Sequence, residues 1–283
     1  MLSTPATWAE YFETYCRKKI NKLAYEYPTV RTLRIDVKED GLIYFREGKL
    51  FEELVENPDK VIEDAKKGLE DASNIFDVVL KDVQIQFTNL PPTRRIPISN
   101  IRIHYLNKFI SVEGVVKRVS YNVPCVLTAV FECVKCGKLH YVQSSNGKIS
   151  KPEPCDCGSK SFRRFPEHDE KVDFQQIVIQ EFPEGIDRQP QEIHVYLYGE
   201  LVGNVLPGDK IVVNGILREA IDKNKSRGQF YIEANSIEFL EDDIREINIT
   251  SEDVERIKEL ARDPNIYDKL CLLYTSPSPR DRG

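Results

Sequence analysis

No stretch of this 283-residue sequence approaches the run of about 18 apolar residues that a membrane-crossing helix requires. The N-terminus, MLSTPATWAEYFETYCRKK, has no apolar run behind a basic start, so no secretory signal is read there. The expected compartment is the cytoplasm, with no membrane partner. No Gly-x-x-x-x-Gly-Lys-Ser/Thr segment occurs, which removes the usual cradle for ATP phosphates. Collagen-like and low-complexity tracts are missing as well. Positive charge is not in excess: 40 Lys and Arg stand against 46 Asp and Glu. A chain coated all over with cations is thereby excluded. A local basic groove is not, and that is all phosphate binding needs.

What is present begins with cysteine. Seven is an odd number, and four of them form two close pairs, Cys133/Cys136 and Cys155/Cys157. In a reducing compartment such clustering reads as metal binding rather than disulfides. Paired cysteines on a tight turn supply two ligands each, and zinc prefers four soft ligands in a tetrahedron. Gly137 and Gly158 each follow a pair, where the turn needs backbone free to take positive φ. The second pair has one intervening residue rather than two, which leaves His140 and Cys125 as substitute ligands. With four thiolates the metal has no open position, so it is structural and does not activate water. That argues against a metal-dependent hydrolase, which needs an open site and a general base.

The length suits two or three small domains. Residues 1–93 are predicted to be mostly helical, a small helical bundle. Thr7-Trp-Ala-Glu10 has the form of a capping box. Trp8, Tyr11, Phe12, Tyr15 and Cys16 then recur at helical spacing as a core face. Arg34–Val37 alternates like a short strand. A second helix carries Leu50, Phe51, Leu54 and Val55, and Asn57-Pro58 starts the next, with Val61, Ile62, Ala65 and Leu69 on one side. A further helix is expected around Ile75–Leu80.

From residue 94 the period changes to two. Phe109–Val119 reads as a strand with Ile110, Val112 and Val116 on one face. Strands at 177–180, 192–198, 210–217, 229–233 and 236–240 follow, with a turn at Leu206-Pro-Gly-Asp209. Five or six short strands with Gly- and Pro-marked turns predict a small closed barrel, and entry through Pro-Gly-Asp is what an OB-fold often shows. The barrel takes residues 94–127 and 171–245, with an inserted zinc-binding lobe at 128–170. Residues 246–270 are a linker and helix, capped by Thr250–Asp253, with Val254, Ile257 and Leu260 inward. Residues 271–283 have no packing pattern and read as a non-native tail. The fold class is therefore α+β and multidomain.

Residues 217–232 read as a β-hairpin with Lys223, Lys225 and Arg227 at its tip. Alternate positions on a strand share a face, so the three charges project together and suit phosphate contacts that read no base sequence. Lys117 and Arg118 on the first barrel strand, Arg188 in a loop, and Arg94 and Arg95 at the bundle–barrel junction are further groove candidates.

The ordered set resembles the N-terminal region of archaeal minichromosome maintenance (MCM) replicative helicases. The resemblance rests on Phe109-Ile-Ser-Val-Glu-Gly-Val-Val, the paired cysteines inside a barrel, Gln175–Glu181, and Leu201–Gly215, and it covers residues 5–270. It implies a ring, usually a hexamer, around single- or double-stranded DNA, with possible head-to-head double rings or filaments. It places the hairpin in a central channel and gives the loop at 183–192 the coupling to an ATPase tier. No catalytic residue is expected in this chain; ATP and Mg²⁺ belong to an absent AAA+ motor. Two departures stand out: Val123 precedes Pro124, and Gln191 follows Pro190, where the family often has basic residues. The competing expectation is a stand-alone single-strand-binding OB protein that stacks bases on Tyr196, Tyr198 and Phe230.

Overall fold

The computed structural model describes residues 3–73, 80, 83–144, 149–182, 189–221, 228–240 and 251–261. The chain divides into two compact units, Met1–Leu240 and Glu241–Gly283.

The first unit opens with α1 (Pro5–Tyr15) and α2 (Arg17–Glu26). The start of α1 corrects the capping box expected at Thr7–Glu10. Thr4 is the cap, its hydroxyl accepting the Thr7 N–H at 3.3 Å, with Pro5 in the first turn. Proline has no N–H to leave unsatisfied there, so Thr4-Pro5 outcompetes the later signal. Thr7 is then buried inside the helix, and Glu10 pairs with Arg46 at 2.6 Å. Helices α3 (Lys49–Glu56) and α4 (Pro58–Ser73) meet at Asn57, whose carbonyl accepts the Val61 N–H at 3.2 Å. Trp8, Tyr11, Phe12 and Cys16 pack with Leu50, Leu54, Val61 and Leu69 in one apolar core. Tyr15, expected on that face, lies at its edge, stacked on Tyr11 but 47% exposed. The helix expected at 75–80 falls almost wholly outside the described residues.

Two strands cross this helical lobe. β1 (Thr32–Asp36) pairs in parallel with β2 (Gln84–Thr88), with Leu33 opposite Ile85. No strand was expected at 84–88. Its middle three residues are buried, so the alternation that marks a half-exposed strand is lost.

Then comes the larger sheet: β3 (Phe109–Val119), β4 (Val123–Cys133), β5 (Leu139–Gln143), β6 (Phe162–Arg164), β7 (Glu170–Gln180), β8 (Glu192–Tyr198), β9 (Lys210–Ile221) and β10 (Gly228–Phe239). The pairings β3–β9, β9–β10, β10–β8, β8–β7 and β7–β3 close it on itself. Ile110, Val112, Val116, Ile177, Val195, Leu197, Val213, Leu217 and Ile232 fill its interior, every second position along each strand. The strands expected at 229–233 and 236–240 are one strand, β10, with an irregularity between Ala234 and Ser236. Such a bulge adds a residue without breaking the ladder and needs no glycine or proline to announce it. β7 extends past the closed part, where its first residues pair antiparallel with β4, and β4 carries β5 and β6.

The helical lobe sits on the closed sheet through Phe109 and Ile216, which belong to the lobe's core; Phe87 meets Phe109 edge-on at 6.1 Å. In the second unit, α5 (Ser251–Ala261) leaves Val254, Ile257 and Leu260 exposed, which corrects the inward face expected of them. The connector at 241–250 and the terminal segment 271–283 lie outside the described residues. No described helix is long and apolar enough to cross a membrane.

Candidate metal centre and nucleic-acid interface

β4 delivers Cys133 at its end, and a turn brings Cys136 back beside it: the Gly137 N–H donates to the Cys133 carbonyl at 2.8 Å. The second pair repeats the device, Gly158 donating to the Cys155 carbonyl at 2.7 Å. Gly137 and Gly158 have φ of 73° and 80°, the left-handed region that a side chain disfavours. The shorter spacing of the second pair is therefore no obstacle. All four sulfurs lie within 4.8 Å of one another. Cys133 and Cys157 are 3.6 Å apart and Cys136 and Cys155 3.4 Å, far beyond a disulfide of about 2.05 Å. A tetrahedron with metal–sulfur bonds of about 2.3 Å has edges of about 3.8 Å, so this donor set fits a metal ion.

The amide of Cys136 draws the Cys133 thiol down to about 6. Although the Lys138 amide favours its thiolate, the sulfurs of Cys155 and Cys133 push Cys136 up to about 12. Crowded sulfurs thus hold protons that a cation must displace. Among the described residues the cluster contains neither substitute ligand. Cys125 lies on β4 opposite Val172, and His140 packs edge-on to Phe162 at 5.1 Å.

The nucleic-acid candidates divide. β9 and β10 pair without a break from Gly215↔Ala234 out to Ile221↔Gly228, a two-stranded ribbon leading to the expected tip. Lys223, Lys225 and Arg227 themselves lie outside the described residues, as does Arg188. Lys117 and Arg118 are both exposed, because the β3–β7 register shifts between Val116 and Arg118. Lys117 bonds to Glu192, which neutralises part of its charge, and the pairing holds the Glu192 carboxyl below its usual range. Arg95 pairs with Glu113 at 3.5 Å. Of the aromatics named for stacking, Tyr196 and Tyr198 face outward beside Phe174, and Phe230 packs at the edge of the closed sheet's core.

Residues 97–221 match the MCM OB domain family. Of the closed sheet, β3, β7, β8 and β9 fall within that match, and β10 lies beyond it. The chain is similar to a probable DNA helicase MCM8 of Arabidopsis thaliana, 32% identical over 183 residues, 58% of this chain and 23% of the relative. It is 28% identical over 205 residues to the minichromosome maintenance protein MCM of Saccharolobus solfataricus, 68% of this chain and 30% of that one. The chain therefore spans less than a third of either relative. A solved structure of the N-terminal domain of an archaeal MCM superposes with a TM-score of 0.68 at 25% identity, over 83% of this chain and 97% of that one.

Around the closed sheet, the structure adds residues that sequence reasoning missed. Glu181, buried just past β7, accepts the Ser99 N–H at 2.7 Å and the Gln191 N–H at 3.2 Å, and so ties the end of β7 to the residue before β8. On β10, the bulge turns Asn235 toward the helical lobe. Its amide accepts from the Phe87 N–H at 2.7 Å and donates to the Ile85 carbonyl at 2.8 Å, while Ser236 donates to the Phe87 carbonyl at 2.5 Å. Side chains thereby complete β2 where no ladder partner stands. Arg218 on β9 reaches Asp59 of α4 at 2.5 Å and Glu233 at 3.1 Å. Long-range partners of this kind leave no local pattern in sequence.

Proposed function

We propose that this chain is the DNA-binding and ring-assembling N-terminal tier of a replicative MCM helicase. The observation that carries the reading is the β9–β10 ribbon, paired up to Ile221↔Gly228, together with Lys223, Lys225 and Arg227 in the sequence between those two residues. Three cations on one ribbon end would grip phosphates in a central channel without reading bases, with Lys117, Arg118 and Arg188 as further contacts. The similarity to MCM proteins supports assembly into a hexamer, double hexamer or filament around single- or double-stranded DNA. ATP hydrolysis and unwinding belong, on this reading, to a motor in the part of those relatives that the match leaves uncovered. This chain contributes no catalytic residue.

Zinc is the metal we assign to Cys133, Cys136, Cys155 and Cys157. Four thiolates suit it, and a closed tetrahedron makes it structural. The residues of the chain do the rest: the two glycine turns orient the sulfurs, and β4 and β7 hold the lobe at a fixed distance from the OB domain.

The test is the triple variant Lys223→Ala, Lys225→Ala, Arg227→Ala, with DNA affinity measured across a salt series. Affinity should fall equally for unrelated sequences, and the slope of log affinity against log salt should flatten by roughly 3. Unchanged affinity removes the ribbon from the reading. Light scattering addresses the stand-alone single-strand-binding alternative, which the similarities do not favour: a hexameric mass supports the tier, and a monomer that binds single strands tightly supports the alternative.

A further inference from the structure

Between α4 and β2 of the helical lobe and the outer face of the closed sheet lies an open cleft of about 1100 Å³. Its floor follows from strand alternation. Val195, Leu197 and Ile232 point into the closed sheet, so their neighbours Tyr196, Tyr198 and Tyr231 point out. Register then gathers them: Tyr198 stands opposite Phe174, and Tyr196 lies between Gln176 and Glu233. Tyr196 and Tyr231 stack at 4.4 Å, and the Phe174 ring lies 5.3 Å from both Tyr196 and Tyr198. Four rings on one face is more than the packing of the two lobes uses, since three of them remain half-exposed.

The charges around the floor decide what it can take. Asp59, Glu63, Glu219 and Glu233 line the cleft against Lys66 and Arg218. Both carboxylate partners of Arg218, Asp59 and Glu233, are among those carboxylates, so the protein itself already seats one guanidinium among them, beside Tyr231. Burial, and next the charge of Glu233, push the Tyr198 and Tyr231 phenols above their usual range, so the rings stay neutral beneath a negative field. A polyphosphate strand is repelled by such a site, although its bases could stack. A cation on an aromatic face is attracted by the ring quadrupole and by the carboxylates together. The side walls carry carboxamides, Gln84, Gln143, Gln176 and Asn235, which suit the donors and acceptors of a peptide backbone.

We propose that this cleft is a docking site for a basic peptide segment of a partner protein, an arginine or lysine lying over Tyr196 and Phe174 within reach of Glu63 and Glu219. The site shares Arg218, Glu219, Tyr231 and Glu233 with the base of the β9–β10 ribbon, but it uses none of Lys223, Lys225 and Arg227 and none of the four clustered cysteines.

The probe is a blocked hexapeptide alternating glycine and arginine, titrated calorimetrically into the full chain, beside the same peptide with glutamate for arginine and a six-nucleotide oligothymidylate. The arginine peptide should bind saturably and the glutamate peptide should not. Tyr196→Ala leaves the net charge unchanged, so it separates a ring contact from general attraction to an acidic protein; it should weaken binding about 3- to 30-fold. Tyr196→Phe should retain it. In the unmodified protein, aromatic NMR signals of Phe174, Tyr196 and Tyr198 should shift with peptide, whereas exposed Tyr25, Tyr44 and Tyr121 should not. Shifts spread over all tyrosines, equal affinity for the Tyr196→Ala protein, or displacement of the peptide by oligothymidylate would each overturn the proposal.

Discussion

The closed sheet and the four-cysteine lobe share one strand, β7, which pairs with β3 and β8 in the first and with β4 toward the second, yet they are held by different forces. In the closed part, each strand turns alternate branched side chains inward and seals them from water. Beyond it the alternation persists but encloses little. Among the described residues of 128–170, the buried apolar side chains are Ala129 and Val130 with the sulfurs of Cys133 and Cys155. Val134, Leu139 and Tyr141 are exposed, and β5 has one exposed face and one that is only half-buried. Three strands cannot hold together on so little burial. What remains is polar and local: Asp169, its carboxylate fully enclosed, accepts from the Val130 N–H at 2.9 Å and from Arg164 at 2.7 Å. Burial opposes its charge, but those two donors hold its carboxyl below the usual range. The lesson is that a strand continuing past its core needs another source of stability, and the zinc proposed for the four sulfurs would supply it.

The largest effect should come from removing that source. Structural zinc contributes roughly 10–16 kcal/mol in small zinc modules, more than a lobe of this size gains by burial. Chelation, or Cys133→Ser, is therefore expected to unfold β5 and β6 and leave β3 and β9 intact. Amide exchange reads both at once: protection at Leu139–Gln143 should vanish while that at Phe109–Val119 stays. Retained protection at β5 in metal-free protein would erase the contrast between the two regions. Next in size is the reverse experiment on the apolar side. Phe87 is fully buried against Trp8 and Phe109 at 6.0 and 6.1 Å, so Phe87→Ala should cost about 3–5 kcal/mol in a denaturant titration. Metal content should not change.

The same contrast explains what the sequence made legible. Period-two runs revealed the strands that bury one face, such as Phe109–Val119 and Glu192–Tyr198. Cysteine and glycine spacing revealed the sulfur cluster, because a knuckle is local chemistry. β4 was not recognised: its first half is exposed or half-buried throughout, and Pro124 within it reads as a breaker. β2 was missed for the opposite reason, since burial of both its faces erases alternation. Helix α1 was found, but its start was set three residues late, where two capping signals competed. The aromatic cleft was invisible as a site. Its rings come from β7, β8 and β10, and only the register brings them together.

A third test asks how close the packing inside the helical lobe is. Helix α1 lies on α4 at Gly68, where a Cβ would stand 2.6 Å from the Pro5 carbonyl oxygen and 2.6 Å from Trp8 Cβ. Backbone on one side cannot step aside as a flexible side chain would. Gly68→Ala, which raises helix propensity, should nonetheless destabilise by about 1–3 kcal/mol because the two helices must separate. A rise in melting temperature would show that the contact is looser than these distances.

The smallest effect should come from the polar seam between the helical lobe and the OB domain. Asn235 offers its carbonyl to the Phe87 N–H and its amide to the Ile85 carbonyl, doing with one side chain what a neighbouring strand does with its backbone. Asn235→Ala leaves both backbone groups without that partner. The site is only half-buried, so water can reach part of the seam and recover some of the loss. Destabilisation of about 1 kcal/mol is expected, since a buried group left unpaired costs about 1–3 kcal/mol before such recovery. Exchange should quicken at the Phe87 amide before any change at Ile232 or Leu197, because the apolar contacts of Phe109 and Ile216 still hold the lobe in place. If Phe87 and the interior amides lose protection together, the seam and the cores unfold as one unit, and polar stitching matters to the OB domain as much as burial does.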